Sequence, residues 1–249
     1  MGKLRPARRL IFSHVTTMNS NDFDVTSLSR MHVPDLPPMA WCARVDVRPF
    51  AMTVVHGSWV EATETGLVEG AWSGPFEGRG YDEAATFAGT GALVRDGRLL
   101  FCAGSDIQAR IYSTRIADAL LVSNSFVFLL AMAEDRPDPA FGYYGGEVLL
   151  QCVLGTERNR RTLPTRSGGV EVHECVNLEV RPDLSLRRVA RPRPAAPTNY
   201  RECIDLLEGA MRDTFSNAAD PARVRAFAPM ATLSRGYDCT FVGAMAARH

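Results

Sequence analysis

The six cysteines, at positions 42, 102, 152, 175, 203 and 239, form no Cys-x-x-Cys pair, and with the five scattered histidines they show no zinc-ligand spacing. Several lie in apolar runs such as LLFCAG and LLQCVLG, which predicts buried thiols and excludes both a disulfide framework and a structural metal finger. An excess of one charge sign is also missing, because 28 Lys and Arg balance 28 Asp and Glu. That balance removes any global pull toward nucleic acid or an anionic membrane, and neither is expected as a partner. The one basic stretch, RRVARPRPAAP, alternates with prolines and reads as a solvated linker. No long apolar run exists either: Ala117 to Ala133 is broken by Asp118, Ser123, Asn124 and Ser125 and falls short of the ~20 residues that cross a bilayer. The basic start MGKLRPARRLIFSHV has too short an apolar part for a signal peptide, so a cytoplasmic protein is expected. Internal repeats and functional low-complexity tracts are absent.

What is present is a β-rich middle. ARVDVRPFAMTVV, GLVEGAWSG, TGALVRDGRLLFCAG, DALLVSN, GGVEVHECVNLEVR and LSLRRV read as strands, separated by Gly, Pro and Asp turns. Asp96-Gly97 predicts one tight hairpin and Pro182-Asp183 another. Helices are expected only around Asn124 to Ala133 and Gly145 to Leu154, so the pattern predicts a layered α+β domain over residues 39–190. Residues 1–38 read as a polar lead segment and 191–197 as a Pro/Arg linker. His173, in the alternating run VEVHECV, is expected on the exposed face of a strand. From Asn199 a helix is well signalled: Asn199 at the cap, Glu202 three residues on, and a stripe of Tyr200, Cys203, Ile204, Leu207, Ala210, Met211 and Thr214. Its expected role is to support a sheet that carries the last loop of the chain.

That loop is the principal candidate site. A strand is expected from Val224 to Leu233, then the bend Ser234-Arg235-Gly236-Tyr237-Asp238-Cys239, then an alanine-rich helix from about Asp238. Unpaired N–H groups at a helix start, with the helix dipole, form an anion site. Gly236 allows close backbone approach, Ser234 offers a hydroxyl, and Asp238 either caps the helix or holds a divalent cation bridging phosphate oxygens. On these residues alone, phosphate binding and plain capping stand level.

The run Leu233-Ser234-Arg235-Gly236-Tyr237-Asp238-Cys239 resembles the pyrophosphate-binding loop of the asparagine synthetase family, Ser-Gly-Gly-x-Asp-Ser after a leucine-ended strand. Arg235 replaces the first loop glycine and Cys239 the final serine. Upstream, Gly89 to Ser125 resembles the same family's amidotransferase-type domain in the order of its strands, turns and final Asn124-Ser125. The resemblance implies a layered, N-terminal-nucleophile-hydrolase-like α+β domain followed at 198–249 by the beginning of an α/β PP-loop nucleotide-binding domain. It implies an ATP-dependent amide ligase that adenylates a small carboxylate and releases pyrophosphate. In that reading Ser234, Gly236 and the following N–H groups hold pyrophosphate, Asp238 helps place Mg2+, Leu233 lines the nucleotide pocket, and Arg235 is either an added phosphate contact or a plug.

Glutamine-hydrolysing members use a cysteine at the mature N-terminus. Here the chain begins Met1-Gly2-Lys3 and the first cysteine is Cys42, so no glutaminase activity is expected. The 52 residues after the linker are fewer than the ~100 a complete α/β nucleotide domain needs, so the chain reads as truncated; an open sheet edge predicts self-association, for instance as a homodimer. Two alternatives stay open: a degenerate homologue acting as a binding or scaffold module, and a relative that forms macrolactam or β-lactam amides.

Overall fold

The computed structural model describes residues 28–146, 161–230 and 236–249. Thirteen strands among them build two sheets. The first, sheet A, runs in the order β1 (Leu28–His32), β3 (Phe50–His56), β2 (Trp41–Val47), β9 (Ala119–Ser123), β8 (Ile111–Ile116), β11 (Gly168–His173) and β10 (Thr162–Thr165). The second, sheet B, runs β13 (Leu186–Val189), β12 (Asn177–Val180), β7 (Arg98–Cys102), β6 (Phe87–Arg95), β5 (Gly66–Trp72) and β4 (Glu61–Thr63). All pairings between these strands are antiparallel except β1 beside β3. The molecule is mixed, mostly strand with few helices, as the α+β pattern predicts.

Period-two alternation sends one set of side chains inward. Trp41, Ala43, Val45, Met52 and Val54 of sheet A meet Leu67, Ala92, Leu99, Phe101, Leu178 and Val180 of sheet B. Both outer faces are covered as well. The segment after β5 folds Phe76, Tyr81 and Ala84 over Val68, Trp72, Leu93 and Leu100. Helix α1 (Phe126–Met132) lays Leu129 and Leu130 over Cys42, Leu121 and Val170. It starts at Ser125, whose hydroxyl accepts from the Phe128 N–H at 3.3 Å.

Both expected hairpins form. Asp96 and Gly97 adopt φ of 50° and 69° between the paired Arg95 and Arg98, the two positive values a tight primed turn requires. At the second, Asp183 accepts from the Ser185 N–H at 2.9 Å and Leu186 returns to pair with Val180.

Within the polar lead segment, Leu28–His32 is extended as β1 and pairs parallel to β3 at the edge of sheet A. The helix expected at Gly145 to Leu154 is helical at 144–146, and the rest lies outside the described residues, as does Cys152. Cys42 and Cys102 are buried as expected, but Cys175 is exposed and Cys203 and Cys239 are half-buried.

Helix α2 (Tyr200–Ala218) has the cap its sequence signals: Asn199 accepts from the Glu202 N–H at 3.0 Å, and the Glu202 carboxylate accepts from the Thr198 N–H at 2.7 Å. Its apolar stripe, however, does not support a loop-bearing sheet. Tyr200 and Leu207 stay exposed, and only the far end, at Asn217 and Ala218, is buried against sheet B. The reason is a polar anchor: Asn217 accepts from the Trp72 N–H at 3.3 Å and donates to the Gly74 carbonyl at 2.8 Å.

Candidate functional site

Of the residues expected to hold a nucleotide, Leu233, Ser234 and Arg235 lie outside the described residues. Gly236, Tyr237, Asp238 and Cys239 open helix α3 (Tyr237–Ala246). Gly236 is the N-cap, with φ −75° and ψ 145°, and no side-chain cap hydrogen bond forms among the described residues. Asp238 sits in the first turn, where its charge complements the helix dipole. No described residue accepts from the N–H groups of Tyr237, Asp238 or Cys239; the Thr240 N–H returns to the Gly236 carbonyl at 3.4 Å. Gly236, Tyr237 and Asp238 are exposed, Tyr237 at 94%, and Cys239 is half-buried. The structure thus brings four of the seven expected residues together at a solvent-open helix start. Among the described residues no group of three or more His, Cys, Asp or Glu side chains converges to hold a metal ion.

The strand expected at Val224 to Leu233 is overturned over its described part, since Val224 to Met230 is not in a strand. Its backbone donors are committed elsewhere. The Val224 N–H binds the Glu61 carboxylate at 3.1 Å and the Phe227 N–H binds the Ala218 carbonyl at 2.8 Å. A ladder is thereby replaced by side-chain and helix-end contacts.

The sandwich holds polar groups that the sequence reading missed. Glu69 lies on the inner face of β5, buried, and accepts at one oxygen from the Thr90 hydroxyl at 2.7 Å and from the Asn124 amide at 3.5 Å. Thr90 in turn accepts from the Trp41 indole N–H at 2.9 Å, and Asn124 accepts from the Trp41 backbone N–H at 2.9 Å. Burial pushes the Glu69 carboxyl up to about 7, with those hydrogen bonds pulling the other way and the charge of Asp106 adding slightly to the rise. Beside it Gly70 has φ +88°, and a Cβ there would lie 2.0 Å from the Ala88 carbonyl, so β5 and β6 approach more closely than any side chain allows. A lone acid inside the apolar strand GLVEGAW was the available signal.

Cys42 cannot act as a nucleophile. It points away from the inter-sheet core, under α1, and burial pushes its thiol up to about 12 despite a hydrogen bond with Ser123.

His173 is buried, not exposed, because β11 pairs with β8 so that His173 and Glu171 share a face with Ile111 and Ser113. Its Nε2 lies 2.8 Å from the Ser113 hydroxyl and 3.6 Å from Glu171, whose own side chain is too solvated to hold a proton on the ring. Desolvation, with Arg188 and Arg161 nearby, lowers His173 to about 4. An unfolded chain takes up this proton near 6.5 and the folded one only near 4. Stability present above pH 6.5 is therefore lost as pH falls between those values, by about 3 kcal/mol in full. In chemical denaturation, His173→Gln is expected to gain most of that amount relative to the wild type between pH 7 and pH 4.5; a difference between the two proteins that does not change with pH would rule out this residue as its source.

One cavity of about 260 Å³ lies on the outer side of sheet B, lined by Thr63, Thr65, Arg79, Tyr81 and Arg95 among others, and no described residue after 191 lines it. No helix among the described residues is long and apolar enough to cross a membrane. The chain matches no model of a known protein family and no curated protein.

Proposed function

We propose that the chain is an asparagine-synthetase-like, ATP-dependent amide ligase whose nucleotide is held at the start of α3, with no glutaminase centre in its sandwich. The observation that carries this reading is the uncapped, solvent-open first turn at Gly236 to Cys239 with Asp238 within it. Three first-turn N–H groups without partners among the described residues suit the oxygens of a leaving pyrophosphate. Asp238 suits Mg2+, which commonly takes one or two carboxylates and completes its shell with phosphate oxygens and water. The bound ion would neutralise charge developing on the phosphates as a substrate carboxylate displaces pyrophosphate from the α-phosphorus; an amine then displaces AMP from the acyl adenylate. Ser234 and Arg235 would extend the phosphate cradle and Leu233 the nucleotide pocket, and a small carboxylate is the second substrate. The layered β-rich sandwich before the linker is compatible with the amidotransferase-like half of such an enzyme, and self-association as a homodimer belongs to the same proposal.

A second reading, a binding or scaffold module without chemistry, is favoured by one observation: residues 224–230 form no strand to present the loop at a sheet edge. Isothermal titration of Mg-ATP into the whole chain separates the two. Binding is expected, weakened roughly ten- to a hundredfold in Asp238→Ala, the range for one charged contact. An absence of heat with both proteins would leave only the scaffold.

A further inference from the structure

Between α2 and residue 230 the chain carries Arg223-Val224-Arg225-Ala226-Phe227, and this strap is received by a built site on sheet B. The Arg223 side chain is fully buried. Its Nη1 lies 3.4 Å from Glu61, its Nη2 donates to the Gly70 carbonyl at 3.1 Å and also to Asn217, and its Nε donates to the Asn217 carbonyl at 2.6 Å. The guanidinium is enclosed by the rings of Phe76, Trp72 and Phe227 at 4.4, 5.4 and 5.5 Å. Glu61 uses its second oxygen to accept from the Val224 N–H at 3.1 Å. Farther along, Arg225 stacks on Trp59 at 3.9 Å, and Phe227 meets Trp59 edge-on.

A buried ion pair of this kind is a poor source of net stability, because desolvating both charges offsets their attraction; its return is specificity, since one register satisfies every donor and the others strand a charge. Only one strap position puts the guanidinium between Glu61 and the Gly70 carbonyl. We infer that Glu61 and Arg223 are a positioning pair: the sandwich is the platform on which the strap docks, and that docking sets where the helix bearing Asp238 begins. The second half rests on the proposed nucleotide site. Nine residue steps separate Phe227, the last residue of the strap, from Gly236, and at no more than ~3.6 Å each they confine the start of α3 to within roughly 32 Å of the docked strap. From the other end, Arg248 holds Glu208 of α2 at 2.5 Å. The sandwich would thereby take part in placing the segment that bears Asp238.

The test combines hydrogen–deuterium exchange with Mg-ATP titration on the full chain. In Arg223→Ala, exchange across residues 219–230 is expected to rise by roughly a hundredfold or more while β2, β8 and β9 keep their protection, and the Kd for Mg-ATP is expected to rise at least tenfold. Arg223→Lys should recover little, since an ammonium lacks the planar fork and its stacking. Because Arg223→Ala strands the Glu61 charge and may not fold, Glu61→Gln/Arg223→Met is the second variant: an uncharged filling of the same space, expected to keep the melting temperature yet lose strap protection and Mg-ATP affinity. Unchanged strap protection in the double variant overturns the docking role, as does protection lost evenly from strap and sandwich together. A wild-type chain that fails to bind Mg-ATP overturns the ligase reading and with it the positioning role, while its exchange pattern still decides whether the strap docks through this pair.

Discussion

Replacing Glu69 by glutamine is expected to stabilise the protein by about 2–4 kcal/mol at pH 8 and by no more than about 1 kcal/mol at pH 5. The Glu69 carboxyl is raised to about 7 from 4.5, first by burial. A folded value above the unfolded one means stability that is complete below pH 4.5 and is lost as pH rises through 7, because the unfolded chain releases its proton first. Among the described residues no cation is paired with the carboxylate; its partners are Thr90, through hydroxyl and backbone, and the Asn124 amide, and hydrogen bonds from neutral groups do not repay the desolvation of a full charge. Glutamine keeps an acceptor for both donors and removes the charge. Guanidinium titrations of both proteins at the two pH values check this, and an equal difference at both would show that Glu69 does not titrate in this range. The His173 window, between about 4 and 6.5, and the Glu69 window, between 4.5 and about 7, overlap with opposite signs, so the two effects largely cancel in the wild type and its stability is expected to change little with pH across this range.

Trp41→Ala is expected to cost about 3–5 kcal/mol, a large share of the 5–15 kcal/mol that holds a typical domain. Trp41 is fully buried and stacks on Phe101 across the two sheets, with ring centroids 6.1 Å apart and planes 9° from parallel. Its indole N–H also binds Thr90, and Ser123 donates to its carbonyl at 2.6 Å. Truncation opens a cavity between sheets that strand pairing prevents from collapsing. Trp41→Phe keeps the stack and loses one buried hydrogen bond, so a cost of about 1–2 kcal/mol is expected. Denaturant midpoints with unchanged slopes establish the order; a phenylalanine variant as unstable as the alanine one would place the energy in the hydrogen bond and not in the packing.

The elements legible in the sequence share one property: their signals are local. Asp96-Gly97 forces positive φ at adjacent residues, Asn199 with Glu202 satisfies a helix start within four residues, and the alternation of ARVDVRPF commits its side chains before any partner strand is known. The start of the last helix was legible for the same reason, since it opens at Gly236 and Tyr237 where the bend predicts one.

What failed depended on partners distant along the chain. His173 looked solvent-facing because alternation reveals two faces but not which one a second layer covers, and Ser113, sixty positions away, decided it. Val224 to Met230 looked like a strand from its apolar residues, yet its donors go to Glu61 and Ala218. Nothing local marks Arg223 for burial; Trp72, Phe76 and Glu61, all more than 140 positions earlier in the chain, close around it. By itself the sequence determined the β-rich character, both hairpins and the Asn199 cap of α2, because propensity and turn chemistry act between neighbours. Only the tertiary structure decided which polar residues are buried and where the strap after α2 lies, because desolvation and ion pairing depend on what the rest of the chain brings to the same place.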